Sequence, residues 1–417
     1  MTIVEPDRRD RTPADVPTRH RAAQARGARM GRPLKVLGRV TGVDEALLDE
    51  IGRGYLRVDE AGAALAAAVR SRSDDRVRLP DVHRALAEGL GAVPDAPTAL
   101  RDFLEVVTAT PAWLDPDLLE EGARVYRAFG RNAGDVLLQL SLIGGYRFGG
   151  PTDLLVATGG LTGDTTMRRL AETQHWAVTV SEPGAMRPPS GGGAGGAGWR
   201  LTVHVRLMHA LVNHRFDAEP SWDAAHWGRP INQSDQAATL GLFSGALLIG
   251  VRALGVPVSR EDSRAVMHLW RYVGWLMGVD EAWLFDRERD QHRFSYHVLL
   301  SQDDVSDAGR ELTRSIVDAQ PRLHFRRFAR WQRWYAPRRL LSMLRPFLGR
   351  RSLEELGLPV RLPWATVGVL AANAVRYRVL GRGEAGRRRV AAWSARYRAE
   401  QMYRYFGPER SDVGALR

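Results

Sequence analysis

Cysteine is absent from all 417 residues. That absence excludes disulfides, thiolate-held zinc, iron–sulfur clusters and a cysteine-ligated haem, so any iron must be held by His, carboxylate, Tyr or Met. Lysine is nearly absent as well: Lys35 stands alone, and arginine supplies nearly all of the positive charge. We read this as a compositional habit first and as a device for bidentate pairing second. Long apolar runs are lacking. The longest, Ala237 to Val251, contains Thr239, Ser244 and several glycines and stops at Arg252, which is short for a membrane span and reads as a buried helix. The first 34 residues carry no apolar run of the secretory kind, and Arg8-Arg9 has none behind it, so the expected setting is cytoplasmic. Strand-like alternation is confined to Leu201–Val205, and no internal repeat is visible.

The residues present have the balance of a globular protein, 44% hydrophobic and 26% charged. The net charge of +12 is uneven: Met1–Leu34 contributes +4 and Arg322–Arg417 contributes +16, which leaves −8 for residues 35–321. The expected organisation is a disordered basic tail over 1–33, a helical domain over 34–320, and a basic, aromatic-rich helical region over 321–417. Apolar residues at helical spacing predict helices over Asp44–Val69 (interrupted by glycines), Leu118–Phe129, Thr165–Val180, Trp199–Phe216, Asn232–Leu254 and Arg260–Met277. Asp115-Pro116 marks one start, an N-cap followed by Pro at the first helical position. The fold class is mainly α.

Candidate chemistry begins in the helix Trp199–Phe216, where Arg206 and His209 lie three residues apart and so share a face. An imidazole on an apolar helix can ligate a haem iron, and a guanidinium one turn earlier can pair with a carboxylate or propionate. The same imidazole can equally be a satisfied core histidine. Arg169 and Thr173, four apart with Glu172 beside them, can bind an oxygen species or a carboxylate, or form a solvated surface turn. Asp153 follows a glycine-rich break and can act as a base if buried or, more simply, as a helix cap. Glu172 and His175 match half of a di-iron carboxylate motif that has no second copy. His268, ahead of Gly274 and Gly278, reads as a packing residue.

Together these segments resemble a family. Arg169-Leu170-Ala171-Glu172-Thr173, Arg206-Leu207-Met208-His209-Ala210, Pro230-Ile231-Asn232-Gln233, Leu254-Gly255-Val256-Pro257-Val258 and His268-Leu269-Trp270 before Gly274, in that order, are similar to the latex-clearing proteins. These are rubber oxygenases, related to the oxygenase that cleaves an isoprenoid side chain in mycophenolic acid biosynthesis. The resemblance spans Leu114–Leu284. It implies a globin-like helical core with additional helices and a bound haem b, with His209 as proximal iron ligand. It also implies Arg169 and Thr173 as a distal polar pair, Arg206 as a structural arginine near the haem, and Asp153 near the place of a catalytic base. Three positions depart from the pattern: Glu172 stands where some members have a lysine, Asn213 where an arginine is frequent, and Asp153 where the base is a glutamate.

The function this implies is haem-dependent, dioxygen-dependent oxidation or cleavage of a C=C bond in an apolar isoprenoid-like small molecule. The competing expectation is a non-enzymatic binding protein whose Arg-rich C-terminal region lies on an anionic membrane surface, with nucleic acid the less favoured partner. Gly386–Phe406 is the helix on which that reading rests.

Overall fold

In the computed structural model, residues 16–159, 163–190, 193–217 and 219–407 are described, and among them helices form and no strand does. The all-α expectation holds. The expected disordered tail does not: residues 1–15 lie outside the described residues, but 16–33 are folded onto the body. Helices α1 (Gln24–Met30) and α2 (Arg32–Leu37) belong to this strap. Two of the arginines that make the segment look unfolded are internal ion-pair partners. Arg19 is fully buried with Nη2 2.6 Å from Asp235, and Arg26 lies 2.8 Å from Glu355. Composition reads such arginines as solvated, because it cannot see the carboxylates they meet.

The predicted segment 44–69 is two helices, α3 (Glu45–Gly54) and α4 (Glu60–Arg70). Asp44 caps α3 by accepting from Leu47 N. Next, α5 (Pro116–Ala128) starts as its sequence predicts, with Asp115 accepting from the Asp117 and Leu118 amides. A short α6 (Pro151–Ala157) leads to α7 (Gly163–Thr179) and α8 (Ala197–Phe216). The ambiguous run Leu201–Val205 is helical, inside α8. That helix is buried on several sides, with Trp199, Val203 and Leu207 in the main core, so its apolar pattern lacks the one-sided stripe of a surface helix.

The predicted helix Asn232–Leu254 is broken. It forms α9 (Gln233–Phe243) and α10 (Gly245–Ala253), with Ser244 at φ −106°, ψ −93° between them. The Ser244 hydroxyl donates back to Leu240 O at 3.0 Å, a bond that bends helices. A Cβ on Gly245 would sit 3.0 Å from the His292 ring, so glycine permits the close approach at the break. The stretch Gln233–Ala253 is long and apolar enough to cross a membrane by length and composition, but half of its most apolar window is buried in the body. Helix α11 (Arg260–Leu276) opens with a reciprocal Ser259–Asp262 capping box and carries Met267, Trp270, Tyr272 and Val273 into the core. Truncating a buried tryptophan such as Trp270 costs about 3–5 kcal/mol.

Helices α12 (Glu288–Ser301), α13 (Ala329–Glu355), α14 (Trp364–Asn373) and α15 (Gly383–Phe406) complete the body. No structural boundary falls at residue 320. Leu340, Leu344 and Leu348 of α13 share a second core with Ile143, Leu170, Leu312 and Ile316, and Met343 enters the main one. In α15 the Ser394 hydroxyl donates to Ala128 O and Gln401 donates to Gln174, at 3.0 and 2.7 Å. The helix Gly386–Phe406 is therefore seated on α5 and α7, with Arg387–Arg389 facing water.

Candidate active site

Between α7, α8, α9 and α10 lies a largely apolar cavity of about 1740 Å³. From α7, Arg169 and Thr173 both reach its wall, as their spacing predicts. Arg169 is anchored from behind, donating to Thr158 Oγ1 at 2.7 Å and Leu155 O at 3.3 Å. Burial lowers its pKa, opposed by the Tyr146 phenol and Glu172, and an arginine remains a cation even so. Glu172, also on the wall, is held by Arg168 at 2.8 Å.

From α8 come Met208 and His209. Burial pushes the His209 imidazole down to about 4, with Gln236 and Asp59 opposing, so the ring is neutral at pH 7. His209 Nδ1 and Gln236 Oε1 are both buried without a well-formed hydrogen bond, although the amide lies close enough to raise the pKa of the imidazole. An unmatched donor–acceptor pair beside a cavity is unusual in a folded protein. A neutral imidazole with one nitrogen free to ligate and the other able to donate to Gln236 is the arrangement a histidine metal ligand requires.

Two predicted residues do not reach the cavity. Arg206 shares the helix but not the space. Its Nε and Nη2 each lie 2.7 Å from Asp59, and Nη1 donates to Leu276 O. Gly278, at φ +77°, makes room for that fork, since a Cβ there would lie 2.8 Å from Arg206 Nε. Helical spacing fixes where a side chain leaves the backbone, and the carboxylate across the interface decides where a guanidinium ends. Asp153 accepts from Gly150 N and the Thr152 hydroxyl at 3.1 Å each. It caps α6, while its neighbours Thr152 and Leu154 line the cavity. His268 accepts from Asp115 N at 3.1 Å and packs edge-on to Trp113, as the packing reading expects. Among the described residues no group of three or more His, Asp or Glu could hold a metal ion.

Sequence reasoning missed His204 and Trp176, both on the wall. His204 Nε2 is buried without a partner, and burial together with His83, 5.2 Å away between ring centroids, pushes its pKa to about 4. Trp176 donates to Thr202 and packs edge-on to Phe243 and Trp270. Neither residue carries a spacing signal, because each is defined by a neighbour distant in sequence.

Residues 127–382 match the family model described as "ER-bound oxygenase mpaB/B'/Rubber oxygenase, catalytic domain". The chain belongs to this family. The match contains every candidate site residue and runs across position 320, in keeping with the continuous body. A rubber oxygenase of Streptomyces sp. (strain K30) is 24% identical over 278 residues, which are 63% of this chain and 64% of the relative's length. The structure of latex clearing protein LCP in the closed state superposes with a TM-score of 0.60 at 19% identity, covering 86% of this chain and 92% of that one. This oxygenase-family chain thus has the all-α fold of that protein.

Proposed function

We propose that this chain is a haem b-dependent oxygenase that oxidises or cleaves a C=C bond in an apolar, isoprenoid-like small molecule with dioxygen. Family membership supports oxygenase chemistry. The observation that carries the haem assignment is His209, a neutral imidazole on the wall of a cavity of about 1740 Å³. That volume exceeds the roughly 300–1,000 Å³ of ordinary ligand pockets, so a porphyrin and an apolar substrate have room together.

His209 would hold the iron through one ring nitrogen, and Gln236 would accept from the other and fix the tautomer. When bound, haem supplies the metal that activates dioxygen. Arg169 and Thr173 present N–H and O–H donors to the cavity, where they would orient a polar oxygen of the substrate or product. The aromatic and aliphatic wall, including Trp176, Leu242 and Phe243, favours a hydrocarbon. Asp153 takes no part in this reading, since its carboxylate is engaged as a cap.

The test is an absorption spectrum of the full chain after addition of haemin. A Soret band in the wild type that His209→Ala shifts or abolishes is the expected result. A wild-type chain that takes up no haem removes the proposal.

A further inference from the structure

Of the eighteen large apolar side chains that stand exposed among the described residues, ten fall between Phe328 and Leu380. On the first turns of α13, Trp331 and Trp334 are more than half exposed. Trp331 stacks on Tyr335 at 4.7 Å, and Tyr335 meets Trp364 at 5.6 Å, which joins this strip to α14. Helix α14 is apolar along nearly its whole length, yet only Ala365, Thr366 and Asn373 are buried. Val367 (62% exposed) and Val379 (65%) stand out from α14 and the turns that follow it, and Leu362 (74%) from the loop before. The strip is held in place: the Ser342 hydroxyl donates to Leu362 O at 2.8 Å and accepts from Ala365 N at 3.0 Å. Contiguous apolar surface of this kind marks an interaction site.

Its polar residues have one sign. Arg330, Arg333, Arg361, Arg378 and Arg382 are exposed, and among the described residues none of them pairs with a carboxylate. The only acids between Phe328 and Arg382 are Glu354 and Glu355, which face Arg350 and Arg26.

We propose that this surface docks on an anionic lipid bilayer, with the valine, leucine and tryptophan side chains in the headgroup–acyl boundary and the guanidinium groups on lipid phosphates. Helix α14 has 10 residues, about 15 Å of rise, against a hydrocarbon core of about 30 Å, so it lies in the interface and does not cross. Tryptophans suit that boundary, and arginine stems lie along apolar surface while their heads reach phosphate. A two-fold contact with a second copy would set this cationic surface against itself. Nucleic acid would leave the aliphatic residues without a role, since bases are held by stacking on π faces. The inference stands independently of the haem assignment.

The experiment is co-sedimentation of the full chain with vesicles of phosphatidylcholine, with or without phosphatidylglycerol. The wild type is expected on the anionic vesicles, with binding weakened by added salt. At about 1 kcal/mol per arginine at such a surface, Arg361→Gln/Arg378→Gln/Arg382→Gln should lower partitioning roughly a hundredfold. Val367→Asp/Val379→Asp, at positions that contribute little to the core, should abolish it, whereas charge reversal at Arg387, Arg388 and Arg389 should leave most binding intact. The proposal is overturned if the wild type ignores anionic vesicles, if Val367→Asp/Val379→Asp binds like wild type, or if the Arg387–Arg389 variant is the one that loses binding. Tighter binding to DNA lost in the same variants, or a solution dimer dissolved by Val367→Asp, overturns it equally.

Discussion

At the scale of single residues the site turns on imidazoles that stay neutral at pH 7. His204 is pushed from the ordinary histidine value to about 4 by burial and by His83. The unfolded chain therefore takes up this proton first as the pH falls, so the contribution to stability is complete above about 6.5 and drains away between about 6.5 and 4. The loss should be roughly 1–3 kcal/mol, and His204→Leu should flatten that part of the curve. Urea midpoints of haem-free wild type and variant between pH 7 and pH 4 check this, and parallel curves would refute it. A second expectation concerns Gln236, whose Oε1 is buried without a well-formed hydrogen bond beside His209. Gln236→Leu removes an unsatisfied polar group, so the haem-free protein should be no less stable. Haem affinity should nevertheless fall about 10–100-fold, the usual effect of losing a ligand's orienting partner. Titration with haemin separates these effects, and unchanged affinity would exclude the orienting role. Part of this was legible in the sequence. Arg169 and Thr173 reach one cavity because i, i+4 spacing needs no tertiary information, whereas Arg206 turns to an Asp59 that is 147 residues away and that no local pattern reveals.

At the scale of elements the starts were more legible than the breaks. Asp115-Pro116 and Ser259 with Asp262 are local signals, and α5 and α11 begin where those residues say. The division of α9 from α10 is not local: it depends on Ser244 bonding back to Leu240 and on the approach of His292 to Gly245. The seating of α8 against α4 is tertiary in the same way. Asp59 and Arg206 make the joint, and Gly278 at φ +77° leaves it room. Removing one partner of a buried pair costs about 3–5 kcal/mol, so Arg206→Leu should lower thermal stability by that much. Gly278→Ala should cost about 1–3 kcal/mol from the left-handed backbone alone, and more because its Cβ would strike both partners. Arg206→Lys should not restore the joint, since an ammonium cannot span both carboxylate oxygens. Melting curves for the three variants measure this, and an Arg206→Leu protein as stable as wild type would show that the pair holds nothing.

At the scale of the whole molecule, composition divided the chain where the fold does not. A tail, a body and a basic C-terminal region are what charge density suggests, yet the strap around α1 and the helices after 320 are built into the same interior. Arginine is the reason: it counts as solvated in any tally of composition and can still be fully buried when a carboxylate is waiting. Arg19 is the extreme case. Its side chain has no exposure, it lies 3.9 Å over the Tyr55 ring, and its guanidinium runs so close to Gly150 that a Cβ there would clash. Its partner Asp235 also accepts from Asn232 at 2.7 Å and stands next to Gln236 at the start of α9, so the strap is tied to the helix that carries the proposed orienting residue. Arg19→Met should therefore leave a buried carboxylate uncompensated and cost about 3–5 kcal/mol. Arg19→Met/Asp235→Leu should recover much of that loss, because no charge is then stranded, and the cycle of four proteins isolates the coupling. If the loss is transmitted through α9, haem affinity should fall in Arg19→Met and return in the double variant. If Arg19→Met melted like wild type, residues 16–33 would be a covering laid on a body already complete without them.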